Sequence, residues 1–564
     1  MARTVSIGNQ DFEKIRTNDN FYIDKTDFIR QWWESADEVT LITRPRRFGK
    51  TLNMSMLEKF FSVKYAGRSD LFEGLSIWQE KSSDGDYKYR QIQGTYPVVF
   101  ISFANVKEIT YSNAKKKICQ IITNLYNQYD FLLDSGKLND KEKEYYHDVS
   151  ADMEDYIATD SLNALSNYLM KYYGKRVIIL LDEYDTPMQE AYVHGYWEEI
   201  VAFTRSLFNS AFKTNPYLER AIMIGITKIN NESIFSYLNN EVITTTSSKY
   251  SDCFGFTEEE VFKALDEFGL SDDKHQVKEW YDGFAFGEKK NIYNPWTIIN
   301  YLDERKVGTY WANSSSNSLV GKLIREGSSE IKQTFEMLLN GETLHMEIDE
   351  QIVYNQLASK KNAVWSLLLA SGYLKVVSAT FTERTGRTYY ELALTNKEVR
   401  IMFEIMIQDW FSGNDAYNYF IKALLLGDLK AMNKYMNKVA EEMFSSFDAG
   451  TKPSEKEPER FYHGFVLGLM VELADRYVIT SNRESGFGRY DIMLEPRTKE
   501  YKAVIIEFKV QDSDEAELAD TVKEALRQIE EKDYQANLVA KGVPEEDIRK
   551  YGFAFCGKKV LIGS

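Results

Sequence analysis

The sequence is poor in the residues that build cross-links and metal cages. Its 564 residues include three cysteines, Cys119, Cys253 and Cys556, and five histidines. The cysteines are far apart and none has Cys-x-x-Cys spacing, so we predict neither a disulfide framework nor a thiolate zinc site. Because the five histidines are spread along the chain, a histidine-rich metal site is not expected either.

Long apolar runs are also missing. No segment approaches the roughly 20 consecutive apolar residues that a helix needs to cross a bilayer. Residues 1–4 do not open a secretory signal. We therefore expect a cytoplasmic protein without a membrane partner.

Basic residues are outnumbered, with 69 Lys and Arg against 86 Asp and Glu and a net charge of −17. This balance disfavours broad, nonspecific adhesion to nucleic acid, which requires clustered cations, but a local basic cleft remains compatible with it. Apolar residues make up 43% and aromatic residues 14% of the chain. That supply is ample for the cores of roughly three or four domains.

Residues 41–52 begin as a short apolar strand that leads into Gly49, Lys50 and Thr51, and a helical pattern follows. In a phosphate-binding loop, backbone N–H groups and the helix N-terminus bind phosphates, the lysine reaches the β- and γ-phosphates, and the hydroxyl can ligate Mg²⁺. The consensus begins with glycine, whereas this loop begins with Arg44. An ordinary strand-to-helix turn can contain the same three residues, so the assignment of a phosphate-binding loop needs support from a second feature of the sequence.

That feature is a run of five apolar residues, 177–181, that ends in Asp182 and Glu183. Such runs are typical of strands buried on both faces of a parallel sheet, and ligand-binding residues lie at their carboxyl ends. Asp182 would hold Mg²⁺ directly or through water, and Glu183 would orient and partly deprotonate the attacking water. A buried strand with a solvated acidic end is the alternative, but the upstream phosphate loop favours a nucleotide site.

Strands and helices alternate in the first third of the chain, as a parallel α/β sheet requires. The candidate strands are 38–43, 97–103, 176–181 and 220–226. Thr227 follows the last of them. If that strand lies between the phosphate-loop strand and the acidic strand, Thr227 is placed to sense the γ-phosphate; a capping threonine is the alternative.

Several motifs occur in order and together resemble the bacterial AAA-ATPase-like family. They are residues 21–26, 44–51, 181–185, 234–240, 254–257, 280–284 and 293–296. The likeness covers about the first half of the chain and makes Arg44 a family feature of the loop. It implies a P-loop ATPase core at 1–253 and a small helical lid at 254–300, with ATP and Mg²⁺ as cofactors. The expected cofactor-binding residues are Arg46, Arg47, Phe48, Gly49, Lys50, Thr51, Leu52, Asp182 and Thr227, with Thr51 and Asp182 at the metal.

The middle of the chain, 301–446, is rich in helical patterns. An apolar helix that ends near Gly372 precedes two strand-like runs, 373–375 and 389–394, which suits a winged-helix module. No row of Arg, Lys and Asn on one helix face favours base reading, so packing or signal transfer is the preferred role.

A polar stretch at 448–458 predicts a linker, and we expect a last domain at 447–564. Residues 486–494 predict a turn into a strand, and 501–510 predict another strand. If the two strands pair as a hairpin, Asp491 and Glu507 converge, and Lys509 shares a face with Glu507. Two carboxylates can bind Mg²⁺, or Mn²⁺, and activate water, while a lysine stabilises the transition state of phosphodiester cleavage. An amphipathic hairpin with outward polar residues is the alternative, although the apolar run 503–506 indicates a central strand.

This pattern resembles the PD-(D/E)xK nuclease superfamily, whose α/β restriction-endonuclease-like domain often follows this ATPase. Residues 461–464 and 525–529 support the likeness. By that resemblance Asp491, Glu507 and Lys509 form the metal-dependent centre and Gln528 is a fourth member. The resemblance also implies an acidic residue from the first helix of this domain, and Glu459 and Glu472 are the alternative candidates for it.

Three hypotheses follow. In the first, ATP binding or hydrolysis gates a metal-dependent nuclease in the same chain, acting on DNA or RNA in defence or mobile-element processing. In the second, the C-terminal domain is a non-catalytic binding module of an ATP-dependent switch. In the third, nucleotide is only structural, which the complete set of phosphate-loop and acidic-strand residues argues against. The chain can act alone or as a homo-oligomer, with Arg205 or Arg220 as the arginine that reaches a neighbouring nucleotide.

Overall fold

The computed structural model divides the chain into two compact units, Met1–Val320 with Gly341–Val399, and Gly321–Asn340 with Arg400–Ser564. The residues that the structure describes are 3–81, 85–213, 215–228, 240–312, 318–325, 329–339, 341–348, 361–412, 416–444, 466, 470, 473, 476–485, 488–498, 500–511, 515–556 and 559–564.

Five parallel strands form the main sheet of the first unit, in the order β2-β3-β4-β1-β5. They are β1 (Val39–Thr43), β2 (Val98–Ser102), β3 (Val177–Asp182), β4 (Leu218–Gly225) and β5 (Asn240–Ile243). The strand β4 lies between the phosphate-loop strand and the acidic strand. The predicted parallel α/β sheet is therefore confirmed, and β5 adds a strand beyond the four predicted ones.

Helices surround this sheet because the strands are apolar on both faces; every residue of β1 and β3 is buried. The helices are Phe12–Thr17, Asp27–Ser35, Lys50–Phe61, Ser76–Gln79, Tyr111–Asn127, Phe131–Asp134, Asp140–Asp148, Asp155–Tyr173, Thr186–His194 and Trp197–Phe208. On one face, Trp32, Phe60 and Phe61 pack against Ile42 and Ile178. This packing fixes the phosphate-loop helix against the sheet.

The segment predicted as a helical lid contains three helices and a small antiparallel sheet of order β6-β8-β7. Its strands are β6 (Phe256–Thr257), β7 (Phe284–Phe286) and β8 (Lys289–Tyr293). Its helices are Glu258–Glu267, Lys274–Tyr281 and Pro295–Glu304.

The winged-helix-like module consists of the helix Lys361–Ala370 and a sheet of order β10-β11-β9. The strands are β9 (Leu344–Glu347), β10 (Leu374–Thr382) and β11 (Arg387–Leu394). The other helices of the middle region are Ser318–Arg325, Ser329–Leu339, Lys397–Ser412, Ala416–Leu426 and Leu429–Phe444. A helix followed by a hairpin is the arrangement that the sequence predicts here.

The second unit contains a five-stranded mixed sheet in consecutive order. Its strands are β12 (Tyr477–Ser485), β13 (Gly488–Pro496), β14 (Ala503–Val510), β15 (Ile548–Cys556) and β16 (Lys559–Gly563). Only β14 and β15 pair in parallel, and the other neighbours are antiparallel. One face packs on the helix Leu429–Phe444, and the other packs on the helices Leu518–Glu531 and Ala536–Ala540. As predicted, β14 is central.

Within the described ranges, no helix combines the length and apolar character that a membrane crossing requires. Several predicted features lie outside those ranges. They are the motif residues 234–239, the linker at 448–458, the domain boundary at 446/447, the segment 461–464, Glu459 and Glu472.

Candidate active sites

The phosphate loop joins β1 to the helix Lys50–Phe61. Gly49 has φ 76° and Arg47 has φ 65°, so both flanks of Phe48 adopt left-handed backbone. Glycine takes this conformation at little cost, whereas arginine is strained in it. Left-handed residues in such loops curl the chain so that N–H groups surround an anion.

Lys50 is buried, and its ammonium group lies near three oxygen atoms. Nζ donates to the carbonyls of Arg44 (3.1 Å) and Pro45 (3.0 Å) and lies 3.7 Å from Oε1 of Glu183. The lysine therefore links the loop to Glu183 at the end of the acidic strand, and its predicted contact with the phosphates stays a prediction.

The hydroxyl of Thr51 donates to Oδ2 of Asp182 at 2.8 Å. Asp182 is completely buried, and its Oδ1 has no hydrogen-bond partner among the described residues. Burial raises the pKa of this carboxyl to about 7. A threonine oxygen beside a carboxylate oxygen that lacks a partner is the kind of oxygen donor set that binds Mg²⁺. The two predicted metal ligands therefore fit that ion.

Glu183 follows directly and has φ 51°, a left-handed conformation that is uncommon outside glycine. Strained backbone of this kind is concentrated at functional sites. The side chain is 22% exposed, and it lines the same cavity as Lys50. Its carboxylate is thus accessible to a water molecule in that cavity.

A cavity of about 910 Å³ covers the loop. This volume matches that of ligand pockets, about 300–1,000 Å³. Seven predicted cofactor-binding residues line it, and they are Arg46, Arg47, Phe48, Gly49, Lys50, Thr51 and Leu52. The guanidinium of Arg47 lies 4.0 Å from the ring centroid of Trp296, which also lines the cavity. Because the Phe48 ring packs on Phe284 and Phe286, Phe48 can contact a ligand only through its main chain.

Thr227 is buried at the end of β4 and is not among the cavity-lining residues. Its hydroxyl donates to Oδ2 of Asp185 at 2.9 Å. The same oxygen accepts hydrogen bonds from the main-chain N–H groups of Ile226 and Thr227 and from Gln189. The predicted contact of Thr227 with the γ-phosphate stays a prediction. Asp185, which sequence reasoning gave no role, holds this residue in place.

Arg44 is completely buried below the loop. Its guanidinium donates to the carbonyls of Thr43 and Thr244, both at 2.9 Å, and of Tyr250 at 3.3 Å. It also lies 4.4 Å from the ring centroid of Phe286. The residue that replaces the consensus glycine therefore supports the base of the loop.

Of the two arginines considered for a neighbouring nucleotide, Arg220 donates to the carbonyls of Trp32 and Trp33 and lies 4.3 Å from the Trp33 ring centroid. Its guanidinium is therefore held within its own chain. Arg205 lies in the helix Trp197–Phe208.

The second candidate centre lies where β13 and β14 pair. Ile492 pairs with Ile506, which places Asp491 and Glu507 next in the register. The main-chain N–H of Phe508 donates to Asp491 Oδ2 at 2.8 Å. Burial raises the pKa of Asp491 to about 6, and the nearby Lys509 ammonium opposes this shift. The hairpin therefore brings Asp491, Glu507 and Lys509 together.

Gln528, on the helix Leu518–Glu531, donates to Oε1 of Glu507 and, at 3.0 Å, to the hydroxyl of Tyr534. Gln528 thus lies beside the centre, as the resemblance implies. Tyr534 is a neighbour that sequence reasoning missed; it lies beyond the end of the helix that carries Gln528, so helical spacing could not indicate it.

Asp491 and Glu507 supply carboxylate oxygens of the type that binds Mg²⁺ or Mn²⁺. Among the residues that the structure describes, no group of three or more His, Cys, Asp or Glu side chains could hold a metal ion. Asp491 and Glu507 therefore fit as two of the ligands of a metal ion. Glu459 and Glu472, the two candidates for a third acidic ligand, lie outside the described ranges.

Residues 6–235 match the family model described as "Predicted AAA-ATPase", and residues 457–564 match the model of the PD-(D/E)XK nuclease superfamily. A curated relative, "Uncharacterized protein in vnfD 5'region" of Azotobacter chroococcum mcd 1, is 27% identical over 327 residues, which are 57% of this chain. The match spans 56% of the length of that relative. These matches show that an N-terminal region of the chain is similar to the predicted AAA-ATPase family and that a C-terminal region is similar to the PD-(D/E)XK nuclease superfamily.

Proposed function

We propose that this protein binds ATP with Mg²⁺ at the phosphate loop and hydrolyses it. The observation that carries this proposal is the contact between the Thr51 hydroxyl and the buried Asp182 carboxylate, directly beside Lys50. Thr51 and Asp182 would hold the cation, which supplies positive charge to the phosphate oxygens when bound. Lys50 would exchange its carbonyl partners for phosphate oxygens.

Glu183 would accept a hydrogen bond from the attacking water and take its proton as the bond from the water oxygen to the γ-phosphorus forms. The bond from that phosphorus to the β,γ-bridging oxygen breaks, and ADP leaves. Its position supports this role because it lines the cavity next to Lys50.

We propose further that the nucleotide state controls a metal-dependent nuclease at Asp491, Glu507 and Lys509. The two carboxylates would hold Mg²⁺ or Mn²⁺, which supplies an activated water when bound, and Lys509 would stabilise the charge that grows on the phosphodiester. The substrate class is nucleic acid, DNA or RNA. Defence against foreign nucleic acid or the processing of mobile elements would suit such an enzyme.

A non-catalytic C-terminal module in an ATP-dependent switch is the second candidate. It is favoured by the net charge of −17, which disfavours broad adhesion to nucleic acid. In that case nucleotide would control binding of a partner instead of cleavage.

One assay separates the two. The purified chain is incubated with labelled single- and double-stranded DNA and RNA, with Mg²⁺ or Mn²⁺, with and without ATP, beside Lys509→Ala and Lys50→Ala. Cleavage that Lys509→Ala loses, and that Lys50→Ala uncouples from ATP, supports a gated nuclease. ATP hydrolysis without cleavage of any substrate favours the switch.

A further inference from the structure

The carbonyl oxygen of Arg46, in the middle of the phosphate loop, is held by two side chains from outside the sheet. The indole Nε1 of Trp311 donates to it at 3.0 Å and Nδ2 of Asn294 at 3.3 Å. Arg46 lines the cavity, whereas Trp311 and Asn294 do not. The carbonyl is therefore directed away from the side on which phosphates would lie.

Trp311 is in turn held by a buried carboxylate. Glu398 is 1% exposed, and its Oε1 accepts hydrogen bonds from the main-chain N–H groups of Trp311 (2.6 Å) and Ala312 (3.3 Å). Its Oε2 accepts a hydrogen bond from the Thr297 hydroxyl at 3.0 Å. All three donors are neutral, so this carboxylate is buried at a considerable cost in solvation. Because burial of the Glu398 carboxylate is costly, its hydrogen bonds to Trp311 and Ala312 point to a role for these two residues.

The ring of Trp311 is fixed as well. Its centroid lies 5.6 Å from that of Phe284 and 5.3 Å from that of Tyr373. Gly372, beside Tyr373, closes against the loop, because a Cβ atom there would lie 2.9 Å from Pro45 and 3.0 Å from Phe284. The lid segment and the winged-helix-like module thus meet on the outer side of the phosphate loop.

An anion site made of backbone N–H groups works only if the neighbouring carbonyls are turned away, because a carbonyl oxygen repels phosphate. We propose that Glu398 and Trp311 are positioning residues for nucleotide binding, which hold the Arg46 carbonyl outward so that the loop keeps its N–H groups available to the phosphates. This inference rests on the proposed ATP site and adds the residues that preorganise it.

The test compares Trp311→Phe, which removes the indole N–H and keeps an aromatic ring, with Trp32→Phe. Trp32 also uses its indole N–H in a buried hydrogen bond, to Thr40, so it controls for general loss of stability. On the full chain, calorimetry gives Kd for ATP, and steady-state hydrolysis separates KM from kcat. We expect Trp311→Phe to weaken ATP binding and raise KM by about 3- to 10-fold, the effect of one lost hydrogen bond, with kcat unchanged. Trp32→Phe should leave Kd and KM for ATP unchanged.

Glu398 supplies a second test, through rescue. Glu398→Gln keeps an oxygen that accepts the two N–H groups, and its amide can donate to Thr297, so it should bind ATP as the parent does. Glu398→Ala should weaken binding at least as much as Trp311→Phe. If Trp311→Phe does not fold, Asn294→Asp replaces it, because it keeps the acceptor for the N–H groups of Trp296 and Thr297 and loses the donor to Arg46.

A parent chain that does not bind ATP removes the proposed site itself. A parent that binds ATP, together with a folded Trp311→Phe that has the same Kd, overturns the present inference alone. Equal weakening in Glu398→Gln and Glu398→Ala also overturns it, because hydrogen bonding would then not be what matters.

Discussion

At the scale of single residues, Lys50 carries the first prediction. Replacing Lys50 with Ala should weaken ATP binding by at least about 100-fold, because hydrogen bonds to a charged group contribute about 1.5–3 kcal/mol each and this lysine would make more than one to the phosphates. Calorimetry measures the effect. Lys59→Ala, which removes another buried lysine from the same helix, should leave the affinity unchanged. An unchanged affinity in Lys50→Ala would refute the assignment of the site.

Glu183 carries the second. Glu183→Gln keeps the shape of the side chain but cannot take a proton, so ATP affinity should stay within about two-fold while kcat falls by about 100-fold or more. Glu190→Gln, which changes another carboxyl on the cavity wall, should retain turnover. Hydrolysis at the parental rate in Glu183→Gln would mean that a different group activates the water.

Asp491 carries the third. Asp491→Asn keeps an oxygen for the Phe508 N–H, so the strand pair should remain intact, but it removes the charge that a metal ion requires. We expect cleavage of nucleic acid to fall below detection while ATP hydrolysis persists at the parental rate. Loss of both activities would contradict the view that the centres perform separate chemistry.

Much of each centre was predictable from local sequence at the residue scale. The period-two alternation of a strand placed Lys509 on the face of Glu507, and the hairpin supplied the convergence with Asp491. Asp185, Trp311 and Glu398 could not be found in this way, because their roles arise from contacts between segments that are distant in sequence. Nothing in the surroundings of Glu398 in the chain indicates that it binds a segment 86 residues upstream.

At the scale of elements, long apolar strands were predictable and short ones were not. The strands β1 to β4 are rich in apolar residues, whereas β5, β6 and β8 contain polar residues and β7 has only three residues, so these strands depend on their neighbours for pairing. The turn after the helix Lys361–Ala370 was also predictable from its glycine, but its contact with the phosphate loop was not.

That turn provides the fourth prediction. Gly372 has φ +87°, and a Cβ atom there would be only 2.9 Å from Pro45, whereas Gly386 has φ +66° and open space. Gly372→Ala should therefore lower the free energy of unfolding by about 2–4 kcal/mol, the sum of backbone strain and overpacking. Gly386→Ala should cost about 1–2 kcal/mol, from the backbone alone. Chemical denaturation of both variants measures the difference, and equal losses would show that the contact with Pro45 is unimportant.

At the scale of the whole molecule, the buried Glu398 carboxyl predicts how stability depends on pH. Burial raises its pKa to about 7 from an ordinary value of 4.5. Between these values the native state binds more protons than the unfolded state, so this group's contribution to stability falls as pH rises.

Glu398→Gln cannot titrate and isolates that contribution. Relative to this variant, the parent should lose up to about 1.4 kcal/mol per pH unit between pH 4.5 and 7, and the difference should be constant below pH 4.5. Denaturant titrations at several pH values provide the measurement. A difference that does not change with pH would show that Glu398 keeps the same proton affinity in both states.

Arg44 has a consequence for anyone who would engineer this protein. Its guanidinium joins the end of β1 to the carbonyls of Thr244 and Tyr250, so it occupies volume and satisfies oxygens that glycine would leave bare. Restoring the consensus glycine would therefore damage the loop that it was meant to repair. In this chain, the residue that departs from the common pattern supports the loop at which we propose that nucleotide binds.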